Sequence, residues 1–565
     1  MVCWLGVGAA VAGVQIEGVD GPVRDNVELY LKLADEPCDA PAWKLERLFA
    51  YADAQIQSAL EAYGFYHPSI TKEWSQTADC WEARFVIAPG DPVRLRKIDV
   101  QTVGPGADEQ TFVSLQVSSL LQAGQPLKHA DYDRYKRRFS DAARRYGYFD
   151  ARFTTSRIDV YPAELAADVT LSFDTGRRYR FGAITLDQSV IADDLIQRYI
   201  NFAPGEPFEA VRVTDLYEHL LLTGYFDRID IRTQPRGAPQ FDVPVTISLT
   251  AARHRTFTSG IGFGTDTGPK LRAGYVNRRL NRSGHQLEID TKISEVISEA
   301  GVSYRLPLAN PRAEWLNIDV GYKYENPDTS RSHLTKVGVK RLKQRGNNWL
   351  ETEFVELNYE DFRVGEEEGT SFLLVPGISW TQARTSGPPR PQRGHRLNLK
   401  FSGTSEWLGS DAQFLQVDFR GKLIRPLWRD ARILARVESG YTVKKKFSDL
   451  PPSVRYFAGG DFSVRGYQYK TLGPKDDLGE VIGGSHLLTG SLEVDQRVAE
   501  KWSVAAFTDA GNAFDDFAEP NLKTSVGVGF RWYSVLGPIR VDLAFPLASD
   551  AKDTARLHIT LGPDL

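Results

Sequence analysis

The sequence predicts two unlike halves: N-terminal α+β repeats, followed by an all-β transmembrane β-barrel of about sixteen antiparallel strands. Three observations predict it. A helix–glycine–aromatic–strand pattern recurs three times before Ala252, and after Arg255 helical periodicity gives way to short alternating segments. No run of about 18 or more apolar residues offers a helical span, whereas barrel strands need only about 9–11 residues of alternating character.

The chain of 565 residues is too long for one ordinary core, and with 42% hydrophobic, 25% charged and 11% aromatic residues it is not disordered. A net charge of −4 gives no electrostatic argument for nucleic acid. The start, "MVCWLGVGAAVAGVQIEG", is apolar and then small, and Ala10 and Ala12 form an A-x-A pattern. Residues 1–12 therefore read as a signal peptide cleaved after Ala12; with no positive n-region, a mis-assigned start or a first apolar strand is the alternative. Cleavage would remove Cys3 and leave Cys38 and Cys80. In an oxidising compartment these two either bridge or remain unrelated buried thiols, since spacing does not fix proximity.

The repeats read "LEAYGFYHPSI" (60–70), "ARRYGYFDARF" (143–153) and "LTGYFDRIDI" (222–231). Each is an amphipathic helix ending at a glycine (Gly64, Gly147, Gly224), then two aromatics, then a strand. Glycine suits the left-handed position after a helix. "QAGQPL" (122–127) and "FAPGEPF" (202–208) precede helical patterns, and "CWEARFVIAPG", "ADVTLSFDTG" and "PVTISLTA" follow as strands. The unit is strand–helix–helix–strand–strand, about 75–85 residues long. It divides the first half into 13–93, 94–179 and 180–254, and an open sheet edge in such a module can accept a peptide strand.

From 255 to 565 the chain reads as a meander running from "TFTSGIGFGTD" to "RLHITLGPDL". Its strands carry Arg, Asp and Gly on one face and gather Trp, Tyr and Phe near their ends. That suits a closed barrel with a wet lumen and aromatic girdles, with a propeller or double sandwich as the soluble alternative. Closure requires the first and last strands to pair, yet both are weak. Gly260, Gly262 and Gly264 give the first strand little cross-strand packing, and Gly562 and Pro563 break the end of the last. This seam is expected to open first.

The stretch "RYFAGGDFSVRGYQY" (455–469), then "FTDAGNAF" (507–514), then "SVGVGFRWYSVLGPIRVDLAFPL" (525–547), resembles in order the signatures of the BamA-type superfamily of outer-membrane insertases and transporters. The repeats resemble POTRA domains, and the whole mature chain is similar to the TamA family, the outer-membrane subunits of translocation and assembly modules. Cys38 and Cys80 depart from that pattern. The resemblance implies that the loop 444–485 folds into the lumen, with the motif Gly459, Gly460, Val464, Arg465, Gly466 and Tyr467 at its tip. It implies that Arg465 pairs with Asp509 and Glu493 on the barrel wall. A guanidinium in a narrow lumen does need carboxylate partners, and arginine can bond two at once.

The resemblance further implies the outer membrane of a Gram-negative bacterium, POTRA domains in the periplasm, a TamB-like inner-membrane-anchored partner, and client outer-membrane proteins. A two-partner-type secretion pore and a lipid-transport channel are the competing readings. No enzyme, cofactor or metal site is expected. "GIGFGTDTG" (260–268) and "VGVGF" (526–530) do not lie between a strand and a helix, so they are not phosphate cradles. The nine histidines lack H-E-x-x-H spacing, no G-x-S-x-G elbow occurs, and "RYKRRFSDAARR" reads as a solvated helix face.

Overall fold

Alternation and periodicity each select their expected element in the computed structural model, which describes residues 13–76, 80–387, 390–534, 537–548 and 554–561. The signal-peptide reading at 1–12, and Gly562 and Pro563 of the last strand, lie outside these residues. No described helix is long and apolar enough to cross a membrane. The chain divides into two compact units: residues 1–186, 202–215 and 231–247, and residues 187–201, 216–230 and 248–565.

The first repeat is built from β1 (Gly13–Glu17), α1 (Gly21–Tyr30), α2 (Ala42–Glu61), β2 (Ser69–Gln76) and β3 (Trp81–Ala88). The second comprises β4 (Arg94–Val103), α3 (Gln110–Val117), α4 (His129–Arg145), β5 (Arg152–Tyr161) and β6 (Ala166–Asp174). The third comprises β7 (Arg180–Asp187), α5 (Asp193–Tyr199), α6 (Ala210–Thr223), β8 (Phe226–Thr233) and β9 (Asp242–Ala251). Each makes a three-stranded sheet with its last strand central, β1–β3–β2, β4–β6–β5 and β7–β9–β8. That central strand alternates strictly, as in Trp81, Ala83, Phe85 and Ile87, all buried against Leu45, Ile56 and Leu60 of α2. Gly64, Gly147 and Gly224 hold φ of 91°, 82° and 67°, where a Cβ is strained. Cys38 and Cys80 form a disulfide in the first repeat.

In the second unit, sixteen strands close an antiparallel barrel. They are β10 (Arg255–Gly264), β11 (Gly268–Asn277), β12 (Gln286–Ser294), β13 (Ile297–Pro307), β14 (Glu314–Glu325), β15 (Ser330–Arg345), β16 (Trp349–Val364) and β17 (Glu367–Thr385). Then come β18 (Gly394–Thr404), β19 (Phe414–Pro426), β20 (Ala431–Lys444), β21 (His486–Ala499), β22 (Trp502–Phe514), β23 (Lys523–Ser534), β24 (Gly537–Pro546) and β25 (Arg556–Leu561). Outward positions carry exposed apolar side chains, as in Val337, Val339, Val355 and Leu357. Inward positions carry Lys336, Lys340 and Glu356, which line an 880 Å³ lumenal cavity.

Part of the third repeat is fixed to the end of the barrel that it feeds. Ala192 N donates to Arg282 O at 2.8 Å, Arg198 Nη1 to Leu308 O at 3.0 Å and Gln286 Nε2 to Thr223 O at 3.1 Å. The Tyr225 hydroxyl donates to Gly284 O at 2.6 Å. Burial pushes that hydroxyl up to about 12, so it keeps its proton.

Candidate functional site

A long segment whose apolar residues are spaced by glycines cannot form a strand, and here it packs on itself inside the wall. Lys444 closes β20, so the irregular segment begins at 445 rather than 444 and runs to Ser485. Tyr456 pairs with Gly484, and Ala458 with Leu472. Ala458, Val464, Tyr467 and Leu472 make a small buried core. Gly459, Gly460 and Gly466 hold φ of 99°, 104° and 93°. A Cβ on Gly459 would lie 2.3 Å from Gln468 O, so the two limbs of this lid approach too closely for any other residue.

Turning the lid this way delivers Arg465 to the inner wall near the C-terminal end of the barrel. Its Nε donates to Asp509 Oδ2 at 2.7 Å and its Nη2 to Asp509 Oδ1 at 2.9 Å, a bidentate pair. Its Nη1 donates to Glu493 Oε2 at 2.8 Å and to Asp542 Oδ2 at 3.0 Å, and its Nη2 also to Ser491 Oγ at 3.2 Å. All five guanidinium N–H groups are thereby used. The guanidinium carbon sits 3.4 Å from the centre of the Phe507 ring. Arg531 donates to Glu493 at 2.9 Å and to Asp542 at 2.5 Å. Arg465, Arg531, Asp509, Asp542 and Glu493 are all buried. Two arginines thus share three carboxylates, and Arg436, which donates to Ser463 O at 2.8 Å, adds the third positive charge nearby.

The structure brings together Arg465, Asp509 and Glu493, the three residues of the sequence reading. Sequence reasoning missed Asp542 and Arg531. Both stand at inward positions of alternating strands, and that alternation was the available signal.

A second attachment was also missed. Asp461 accepts from Thr265 Oγ1 at 3.0 Å, and its amide donates to Asp266 Oδ2 at 2.5 Å, so the lid holds the turn after β10. His558 of β25 lies 2.6 Å from Asp461 through Nδ1 and accepts the Gly466 amide through Nε2 at 2.8 Å. A backbone N–H can only donate, so Nε2 is bare and Nδ1 carries the proton that bonds Asp461. Asp266, Asp461 and His558 lie close enough to hold a metal ion. The tautomer argues against it, because the nitrogen facing the carboxylates has no free lone pair.

Elsewhere the lid is tied by Tyr469 to Glu325 at 2.9 Å, Lys470 to Glu325 at 2.7 Å and Tyr456 to Asp418 at 2.8 Å. Arg455 pairs with Glu367 and Ser453 with Glu360.

The seam lies directly beside these contacts. β15 and β16 stay in register from Ser330 opposite Val364 to Arg345 opposite Trp349. Among the described residues, β10 and β25 meet in register only at Gly264 opposite Thr560. Thr265 N donates to Ile559 O at 3.2 Å, and Ile559 N to Thr265 Oγ1 at 2.8 Å. A Cβ placed on Gly260 would meet no atom within 4 Å, and outward Phe257 and Ile261 are 76% and 82% exposed, so the middle of the first strand is open on both faces among the described residues.

Residues 277–563 match the Omp85 superfamily domain, residues 13–89 the POTRA domain described as TamA domain 1, and residues 179–251 a POTRA family described as surface antigen variable number repeat. The chain is 23% identical over 432 residues to the outer membrane protein assembly factor BamA of Nitratidesulfovibrio vulgaris, covering 72% of this chain and 54% of that protein. It is 23% identical over 485 residues to BamA of Neisseria meningitidis serogroup B, covering 73% and 60%. It thus spans little more than half the length of these relatives. BamA from Haemophilus ducreyi lacking POTRA domains 1–3 shares the fold, with a TM-score of 0.67 and 17% identity over 83% of this chain and 99% of that one. The superfamily match covers half the chain, including the lid, the arginine–carboxylate cluster and the strands that bear it, and the chain belongs to the Omp85 superfamily of POTRA-bearing outer-membrane β-barrels.

Proposed function

We propose that this protein is a non-enzymatic assembly or translocation factor of the outer membrane, whose barrel opens at the seam between β10 and β25 to admit client strands. The observation that carries this reading is the seam itself. An unpaired strand edge in lipid costs several kcal/mol per unsatisfied group, so a barrel whose described residues pair so little at one junction has a preferred place to part and a template for an incoming strand. The relatives' name, outer membrane protein assembly factor, agrees with that use. The likeness of the first repeat to TamA domain 1 supports a TamA-type role, with a TamB-like partner held by periplasmic POTRA domains.

The test is a lock. Cysteines at Gly264 and Thr560, the register pair, should stop insertion of a urea-denatured autotransporter barrel into proteoliposomes when oxidised, and reductant should restore it. Each single-cysteine variant, treated identically, controls for the native disulfide. A locked barrel that still inserts its client would overturn the lateral gate and favour a secretion pore through the lumen. Capture of membrane complexes through the POTRA domains tests the partner separately.

A further inference from the structure

The outward wall of β18, β19 and β20, among the strands farthest from the seam in barrel order, has a trough where one side chain is missing. Outward positions on β19 read Phe419, Gly421, Leu423 and Arg425, so the row of apolar side chains is interrupted at its centre. Leu397 of β18 and Ala435 and Val437 of β20 flank the gap. The resulting depression has a volume of 470 Å³, within the range of about 300–1,000 Å³ typical of ligand sites. Gly421 is itself buried: a Cβ on it would lie 3.1 Å from Val437 and 3.2 Å from Phe419, so these side chains close over the glycine and a larger residue would push them up into the trough.

The trough is apolar along its length but not at one end. His395 and Arg425 line it where β18 begins and β19 ends, the end of the barrel to which α5 is bonded. Arg425 is exposed, and its Nη1 donates to the carbonyls of Ile424 at 3.1 Å and Gly394 at 3.5 Å. His395 bonds Gln382 Oε1 at 3.0 Å. Just beyond, Leu427 and Trp428 are exposed in the turn, and an outward tryptophan at a strand end marks the headgroup level. An arginine facing lipid is tolerated at that depth and, there, sits among phosphates.

We propose that this trough binds one glycerophospholipid of the periplasmic leaflet, an acyl chain lying against Phe419, Leu397 and Val437 above the buried Gly421, and its phosphate on Arg425. Charge and shape both select this occupant. The floor excludes polar groups, the mouth offers a guanidinium for an anion, and the surrounding medium is the bilayer. Any outward wall touches lipid in passing; an apolar trough with a cation at its mouth holds one molecule longer than its neighbours.

The experiment is native mass spectrometry of the full chain released from nanodiscs of palmitoyl-oleoyl phosphatidylethanolamine, scoring the fraction that retains one phospholipid. Arg425→Gln should lower that retention about tenfold, the loss of one charge-assisted phosphate contact. Gly421→Leu should lower it at least as much by pushing Phe419 and Val437 into the trough. Heat-modifiable migration on gels checks that each barrel is closed, and Ala435→Leu provides a second filling variant should Gly421→Leu fail to fold. Retention that falls with Arg425→Gln but not with a folded filling variant would show general headgroup attraction and overturn the acyl seat. Retention unchanged in Arg425→Gln would overturn the phosphate contact.

Discussion

Replacing Arg465 by alanine removes the donors that reach Asp509, Glu493 and Asp542 across distances of 2.7 to 3.0 Å. Glu493 and Asp542 keep Arg531, but Asp509, with no exposed surface, retains only the Arg465 amide at 3.0 Å among the bonds that tie it to the lid. Breaking a buried pair and stranding its partner costs about 3–5 kcal/mol. Because most of this is lost only while the lid is seated, lid release should become two to three orders of magnitude more favourable, at about 1.4 kcal/mol per tenfold. Lumenal water places the value toward the lower figure. Hydrogen exchange read by mass spectrometry over residues 455–485 of the full chain should show the loss as faster exchange across the lid, while β14 to β16 remain protected. Arg465→Lys keeps the charge but not the five-donor fork, so it should fall between wild type and alanine. Lid protection unchanged in Arg465→Ala would refute the reasoning, because the anchor would then carry no free energy.

Three further outcomes are expected. His558→Phe removes the acceptor for Gly466 and one of two donors to Asp461, which keeps Thr265 Oγ1, from a fully enclosed site; about 1–3 kcal/mol is expected for the Gly466 amide left unpaired, read as faster exchange of β25 with the rest of the barrel unaltered. Alkylation without reductant should label neither Cys38 nor Cys80, and reduction should destabilise the first repeat by about 4 kcal/mol, the loop-closure value for a separation of 42 residues. In the second repeat, the Arg96 guanidinium at 2.7 Å holds the Asp168 carboxyl below its ordinary range. A depressed carboxylate contributes stability above its unfolded pKa of about 3.9 and loses it as pH falls through the folded value. Arg96→Gln should therefore flatten the acid limb of this repeat's stability curve and leave its shape above neutrality unaltered.

The elements were legible because their periods are strong. Trp81, Ala83, Phe85 and Ile87 alternate without a break, and each repeat's helix stops at a glycine that only a left-handed turn requires. The barrel strands were legible for the same reason, and the resemblance carried by the closing motifs implied that Arg465 meets Glu493 and Asp509. What stayed hidden was contact across long separations. Asp461 and His558 are 97 positions apart, and Thr265 and Asp461 are 196 apart. Neither Asp461, inside a loop rich in turn residues, nor His558, in a short strand, carries a pattern of its own. Only closure of the barrel makes the first hairpin and the last strand neighbours, and only the folded lid reaches both. Asp542 was closer to hand, since alternation along β24 places it inward, but a lone inward acid names no partner.

The lid contacts change what holds the seam. Between β10 and β25 the described backbone supplies the Gly264–Thr560 register and the bonds of Thr265 with Ile559, and each ladder bond is worth about 0.5–1.5 kcal/mol net. The lid meanwhile grips both sides: Asp461 holds Thr265 and Asp266 on one side and His558 on the other. Gly466, bonded to His558, directly follows Arg465, bonded to the wall. These attachments lie within six consecutive residues of one small packed core, so withdrawing the arginine pulls the glycine and the aspartate with it. In the proposed function, opening is then a single event governed by the lid. Among the described residues the ladder between these strands is short, so a client strand competes once the clasp has let go. The arginine is thus best understood as setting the closed population of the seam, even though it touches neither of the two strands that part.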